Sequence, residues 1–345
     1  MVDKAEQQGI VAFARRVLVV LGIAVVGGVL WMISRLLVMV FGGLLLAVIL
    51  RRISKPVGRW LHLDTRIALG LVVVVILAVL VGVGWLFGHG IVGQYRDFLD
   101  ALSGGYQRLV EWGEDVGLTF PEDGSGMISG VVTQVLTAAT VALDVFVALL
   151  IIIFVGIYAA ASPRLYKEGV LLLVPSHRRE RAGQVLDATG EALWRWLVGQ
   201  LVAMVAVGVM TTVTLWLLGV PMAITLGIIA ALLEFVPIIG PIMAAVPAIL
   251  VALTVDVWAA LWVVLAYTVI QQVESYLVTP LAERWAVALP PALLVFSTMA
   301  FALLFGFPGL IFAAPMTLAV MVFVRMIYVR DILGNRPKPG TRMPG

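Results

Sequence analysis

Long apolar runs, separated by short charged stretches, make up most of the chain. Runs such as 67–87, 145–161 and 197–220 are each close to the ~20 residues that an α-helix needs to cross about 30 Å of hydrocarbon. The pattern therefore predicts an all-α, polytopic helical membrane protein with about 6–8 membrane segments. The first three helices are expected at 11–33, 36–50 and 67–91, and a fourth is expected to end at Ala161. A basic loop containing Pro56 is predicted between the second and third helices.

Two segments are too polar to span a bilayer, and each has an apolar stripe at helical spacing. Segment 92–137 is predicted to be an extracytoplasmic amphipathic helix whose stripe consists of Tyr95, Phe98, Leu99, Leu102, Tyr106 and Leu109. Segment 162–191 is predicted to be cytoplasmic, with a stripe that continues into the fifth helix and consists of Ala182, Leu186, Thr189, Leu193 and Trp196. Trp194, Arg195 and Trp196 fit an interfacial belt at the start of that helix.

Two apolar segments near the C-terminus are too long for one simple crossing. Segment 221–254 has 34 residues, which is about 51 Å as a single helix. Segment 290–328 is also too long, and both carry helix breakers near the middle. The breakers are Pro237, Gly240 and Pro241 in the first, and Gly306, Pro308 and Gly309 in the second. Either both are broken crossing helices or both are re-entrant hairpins, and their length favours hairpins. Two interrupted segments in a roughly inverted arrangement predict a substrate site near the bilayer midplane.

The composition also indicates a membrane protein, and the charge distribution predicts its orientation in the membrane. The chain is 62% hydrophobic and 12% charged, whereas soluble domains are about half apolar and about a quarter charged. Basic clusters at 51–66 and 164–181 are expected on the cytoplasmic side, together with both termini, of an inner (plasma) membrane. Topology and lipid headgroups explain these clusters, so no nucleic-acid partner is expected. The predicted units are 1–91 (anchor helices), 92–137 (extracytoplasmic), 138–192 (fourth helix and cytoplasmic segment), 193–328 (transport core) and 329–345 (basic tail).

Few residues of the chain are candidates for catalysis, for metal ligation or for binding a solute. Cysteine is absent, the three histidines show no metal-ligand spacing, and no hydrolase or nucleotide-binding motif occurs, so neither an enzyme nor a metal site is expected. Glu234 lies just before the first break, and Glu274 lies in a helix with Gln271 and Gln272. An ionisable side chain at membrane depth is by default a functional candidate, so these four are the predicted substrate- or ion-binding residues.

The same residues admit structural roles. Glu274 alternatively bonds a neighbouring helix or subunit, and Glu234 alternatively caps a broken helix end. Carbonyl groups around residues 233–237 are expected to lack intrahelical donors because of the prolines. Such oxygens are candidates for coordinating a cation or for accepting hydrogen bonds from a solute.

Around these residues the sequence resembles the autoinducer-2 exporter family of bacterial and archaeal membrane proteins. The family's proline-x-x-glycine-proline core, with an acidic residue before it and a proline after it, is matched by Glu234, Pro237, Gly240, Pro241 and Pro247. Similar flanking features are Gly199-Gln200, Leu218–Pro221, Gln271–Glu274, Thr279-Pro280, Leu289–Ala292, Gly306, Gly309 and Pro315.

The resemblance implies a multi-pass transporter assembled as a homo-oligomer, with a pentamer as one candidate. It implies either export of a small polar solute such as autoinducer-2, a hydroxylated furanone derivative, or exchange of sodium or lithium for protons. No cofactor is implied beyond H⁺ or Na⁺ as a coupling ion, and the partners implied are membrane lipids and the solute. A membrane scaffold that transports nothing is a third interpretation, although a scaffold has no need of Glu234 beside a broken helix.

Overall fold

The structure, a computed structural model, describes residues 31–78, 138–280 and 289–334, with scattered positions at 17–29 and 101–114. The regular elements of the described residues are helical, as predicted. Their bounds are α1 Ser34–Leu61, α2 Thr65–Ala78, α3 Ala138–Ala161, α4 Pro163–Leu172, α5 Arg179–Leu217, α6 Ala223–Leu233, α7 Ile239–Leu253, α8 Val257–Val273, α9 Pro291–Phe305 and α10 Phe307–Phe323. Turns of π-helix extend α8 through Glu274–Val278 and α10 through Val324–Ile332.

The helix lengths confirm a polytopic membrane protein. Within the described residues, four helices are long and apolar enough to span a bilayer, or five if α3 and α4 are taken together. The apolar stripe predicted between Tyr95 and Leu109, the second half of the third predicted helix and the tail beyond Gly334 lie outside the described residues.

The basic loop predicted around Pro56 is wrong, because α1 continues as a helix through this proline to Leu61. The helix ends where His62 adopts a left-handed conformation and the Leu63 amide donates to the Gly58 carbonyl over 2.9 Å. A proline removes one backbone donor without forbidding helical dihedrals. The cations of this stretch therefore stand on a rigid helix end.

The segment predicted to be cytoplasmic is also more continuous than expected. The chain bends by 92° between Val147–Ala161 and α4, and α5 then runs for 39 residues without a break. The predicted amphipathic stripe and the fifth membrane helix are thus one element. The expected interfacial belt is wrong for Trp196, which is buried and packs edge-to-face on Phe235 with ring centroids 5.9 Å apart.

Both long C-terminal segments are interrupted at the predicted breakers, and each folds back on itself. A side-chain carbon on Gly240 would overlap the Leu233 carbonyl, and one on Gly309 would overlap the Phe301 carbonyl. Residues seven or eight positions apart on a continuous helix are separated by about 10–12 Å. These approaches therefore support helical hairpins, α6–α7 and α9–α10, over straight broken crossings.

Among the described residues, three apolar clusters hold the helices together, and two of them include α5. One joins α1, α2 and α3, where Gly43 and Gly156 allow close approach of α1 and α3. The second joins α5 to α6, α7 and α8. The third joins α1, α5 and α10, and receives Phe235 from the first break. The central helix α5 therefore contacts both hairpins, and the space between them forms beside it.

Candidate functional site

A cavity of about 310 Å³ opens where the first hairpin reverses, bounded by α5, the α6–α7 turn, the end of α8 and the second hairpin. We call it the central cavity. Its polar lining residues are Gln200, Glu234, Gln271, Glu274, Ser275 and Thr279, and its apolar lining includes Trp196, Pro237, Ile238, Pro241, Leu289, Leu294 and Ala314. Its volume is at the small end of the range seen for ligand pockets.

The first break is a strained turn. Ile238 has φ 73° and ψ −53°, and the Ile239 amide donates to the Pro237 carbonyl over 2.9 Å. Together these define a γ-turn of the rare, strained type. Strained backbone persists when its surroundings over-determine it, and it clusters at ligand sites. Here the turn directs Ile238 and Pro241 at the central cavity.

Four of the five backbone carbonyls at residues 233–237, which were expected to lack intrahelical donors, accept a hydrogen bond from the turn or from Gln200. The carbonyls of Leu233, Val236 and Pro237 accept turn hydrogen bonds, and that of Glu234 accepts a bond of 2.6 Å from the Gln200 amide. The turn replaces the missing helical donors locally. Each of these four carbonyls already accepts one hydrogen bond, so the side chains of the cavity are the more available groups for a solute or an ion.

The side chain of Glu234 is 4% exposed, and its Oε2 atom has no hydrogen-bond partner among the described residues. The Gln271 Nε2 atom is likewise buried without a partner in the described residues, and it belongs to the same cavity lining. Leaving a buried polar group unsatisfied costs about 1–3 kcal/mol. The two side chains are neighbours, one an acceptor and the other a donor, and together they form a candidate site for a polar molecule.

Glu274 lies on the π-helical turn that ends α8. The Thr279 amide donates to the Glu274 carbonyl, the five-residue spacing of a π-turn. The carboxylate accepts hydrogen bonds from the hydroxyls of Thr279 and Ser275. Turns of this kind occur frequently at functional sites. The wide turn therefore brings one carboxylate and two hydroxyls to the cavity.

The structure brings together most of the predicted site residues, but not all of them. Glu234, Gln271, Glu274, Pro237 and Pro241 line the central cavity. Gln272 instead lines an adjacent groove between α7 and α8, to which Gln271 also contributes.

The second break does not contribute to the cavity. Gly306, Pro308 and Gly309 are absent from the lining, which the second hairpin supplies mainly near the start of α9. Leu294 lies twelve residues before Gly306, about 18 Å along a helix. Gly306 nevertheless makes the reversal, since its φ of 68° and ψ of −147° are accessible essentially to glycine alone. The two breaks therefore have different roles.

Gln200, Ser275 and Thr279 belong to the site but were not among the predicted site residues. Gln200 could have been predicted, because it is an amide within the apolar run 197–220. Ser275 and Thr279 could not, since their position at the cavity depends on the π-turn.

Comparison with known proteins supplies the context for this cavity. The family profile described as AI-2E family transporter matches residues 19–328. The candidate transport protein YrrI of Bacillus subtilis (strain 168) is 24% identical over 308 residues, which cover 83% of this chain and 87% of YrrI. A second candidate transport protein of that organism, YueF, is 25% identical over 163 residues, 46% of this chain and 44% of YueF. A candidate transport protein of Thermotoga maritima is 21% identical over 221 residues, 64% of each chain.

Proposed function

The chain belongs to the AI-2E transporter family, and on that premise we propose that it is a secondary transporter exporting a small polar solute of the autoinducer-2 type. Glu234 is the residue that carries the coupling proton or cation. The observation behind the proposal is the Glu234 carboxylate, buried with an unpartnered oxygen at a strained hairpin turn that lines the central cavity.

The lining chemistry suits a hydroxylated solute. Amide groups of Gln200 and Gln271 both donate and accept hydrogen bonds, and the carboxylate of Glu274 accepts them. Apolar walls from Trp196 and Leu294 cover the less polar faces of such a molecule. A cavity of about 310 Å³ limits the solute to a small molecule. A small, polar, hydroxyl-rich compound therefore fits better than a lipid or a peptide.

Glu234 links solute movement to charge movement. An ionised carboxylate buried without a partner is costly, so Glu234 moves through apolar surroundings only with a proton or a cation bound. Its backbone is held by Gln200 on α5, and Phe235 packs into the cluster that contains α10. Movement of the hairpins against α5 would therefore displace the carboxylate together with the cavity wall.

Sodium–proton exchange is the second candidate function. Its supporting observation is that two carboxylates, Glu234 and Glu274, share one cavity with the hydroxyls of Ser275 and Thr279, an oxygen-rich set of the kind that hard cations prefer. The carbonyls of the break weaken this candidate, because four of the five that were expected to be available as ligands already accept a hydrogen bond.

The test uses Glu234→Gln, which keeps the shape of the side chain and removes its charge. We expect the variant to fold and to lose proton-coupled flux by at least tenfold. The matched control is Asp256→Asn, which alters an exposed carboxylate outside the cavity and should leave flux unchanged. Purified protein in liposomes is assayed for autoinducer-2 and for sodium flux, with and without an imposed proton gradient, per folded protein. Wild-type flux and pH dependence in Glu234→Gln would contradict the proposed role.

The assembly and orientation belong to the same proposal. We propose a homo-oligomer in the inner membrane with both termini in the cytoplasm, because the family resemblance and the charge distribution both point there. A single protomer mass in mild detergent and in native nanodiscs would count against the oligomer. Labelling of single cysteines introduced at each terminus tests the orientation.

A further inference from the structure

A second pocket, remote from the transport residues, lies between the end of α1, the start of α4 and the first half of α5. It has a volume of about 330 Å³ and is lined by five cations and two carboxylates: Arg51, Arg52, Lys55, Arg164, Lys167, Asp187 and Glu191. We call it the basic pocket. The proposed transport mechanism uses none of these residues.

Two of the five cations are neutralised inside the pocket. Arg52 forms an ion pair with Glu191, which also accepts a hydrogen bond of 2.9 Å from Arg195 outside the pocket. Lys167 pairs with Asp187 over 2.7 Å. Both carboxylates of the pocket, Asp187 and Glu191 on α5, are therefore already paired with cations.

Three cations remain without an ion-pair partner in the described part of the chain: Arg51, Lys55 and Arg164. Arg51 is partly buried, whereas Lys55 and Arg164 are exposed, and the charges of Arg51 and Arg164 repel each other. Holding like charges together at a partly buried site is unfavourable unless an anion joins them. The pocket thus has a charge excess and space for a counter-ion.

The position of α4 places this pocket at the level of lipid headgroups. The 92° bend after α3 turns α4 nearly perpendicular to α3. If α3 crosses the membrane, α4 therefore runs along the membrane surface. Leu165 and Leu172 are each 68% exposed on the face opposite to Lys167, which contacts α5. An amphipathic helix with such a face lies in the interface. Arg164, at the start of this helix, then reaches the pocket from the headgroup layer.

From these observations we propose that the basic pocket binds a phosphate group, held by Arg51, Lys55 and Arg164. Arginine is the side chain best matched to phosphate, because its planar guanidinium donates two parallel hydrogen bonds. Basic pockets between membrane helices are known to take anionic lipid headgroups. The phosphate belongs either to an anionic phospholipid or to a soluble compound, and the experiment separates these two sources.

The test compares Arg51→Gln with Arg164→Gln in one protein against a control of equal charge, Arg59→Gln with Arg178→Gln. The control residues are exposed and outside the pocket. Delipidated full-length protein is titrated with phosphatidylglycerol and with phosphatidylcholine in mixed micelles, and binding is read by native mass spectrometry. A parallel titration uses inorganic phosphate and glycerol 3-phosphate.

We expect the pocket variant to lose about tenfold to thirtyfold in affinity for phosphatidylglycerol, since two of three charges are removed. The control variant should keep wild-type affinity, and phosphatidylcholine should bind weakly to all three proteins. Saturable binding of the soluble phosphates with the same dependence on Arg51 and Arg164 would support the phosphate site and assign it to a soluble ligand. Equal loss in both variants, or no loss in the pocket variant, would overturn the proposal.

A structural role for the two arginines predicts a different result. Without added anion, removing the repulsion between Arg51 and Arg164 should leave thermal stability unchanged or raise it. A pocket variant that unfolds at a lower temperature than both wild type and control in the absence of anion contradicts the proposed role.

Discussion

The strained turn at Ile238 permits a prediction whose sign is opposite to the usual one. In the interior of a helix, replacing alanine with glycine costs about 1 kcal/mol of stability. At position 238 the backbone has φ 73°, where a side chain with a Cβ costs about 1–2 kcal/mol and glycine does not. The perturbation is the pair Ile238→Ala and Ile238→Gly, which remove the isoleucine side chain to nearly the same extent and differ in the freedom of the backbone.

The expected magnitude follows from two opposing terms. Glycine releases the strain of about 1–2 kcal/mol but gains freedom in the unfolded chain, which costs about 0.4–1 kcal/mol. The difference leaves the glycine variant more stable than the alanine variant by about 0–1.6 kcal/mol. Because only the difference between the two variants is used, the loss of isoleucine packing cancels.

The assay is reversible unfolding in mixed micelles followed by tryptophan fluorescence. Ala245→Gly in α7 serves as the reference for an ordinary helical site and should lose about 1 kcal/mol. If Ile238→Gly is less stable than Ile238→Ala by a similar amount, the γ-turn is not strained in the protein and the reasoning fails.

Two further predictions concern the first hairpin. Gly240→Ala should destabilise the protein by about 1–3 kcal/mol, because its Cβ would overlap the Leu233 carbonyl. Gly70→Ala is the control, since its added carbon meets open space and should not destabilise the protein. The unfolding midpoints of the two variants are compared, and equal midpoints would refute the clash. Arg108 donates hydrogen bonds to two carbonyls at the end of α7, so Arg108→Gln should cost about 0.3–1 kcal/mol and speed amide hydrogen exchange in that turn; unchanged exchange would show that the contact is unimportant.

The helix interruptions could be predicted from the sequence because proline and glycine act on the backbone at their own positions. Proline at position 237 and glycines at positions 240 and 306 alter the backbone wherever they occur. The geometry that follows was not readable. The strain falls on Ile238, a residue that has no turn preference, and the hydrogen bond to the Glu234 carbonyl depends on Gln200 from another helix.

The composition of the site was readable only in part, for a geometrical reason. Gln271 and Gln272 are adjacent in sequence, but consecutive residues of a helix point about 100° apart. Gln271 therefore reaches both the central cavity and the adjacent groove, whereas Gln272 reaches the groove and not the cavity. Glu274, Ser275 and Thr279 meet the cavity because of a π-turn, which no residue type announces. Long apolar segments thus predict the fold, whereas the lining depends on tertiary contacts.

The helix α5 runs without a break past both the basic pocket and the central cavity. Its 39 residues form a rod of about 58 Å, with Glu191 at the basic pocket and Gln200 at the central cavity. These two residues are about 14 Å apart along the axis, so a tilt of about 10° around Glu191 shifts Gln200 by about 2 Å. That displacement is close to the length of a hydrogen bond, enough to release the Glu234 carbonyl from its donor. A change of charge at the basic pocket that tilts α5 would therefore also change the geometry of the turn at Glu234.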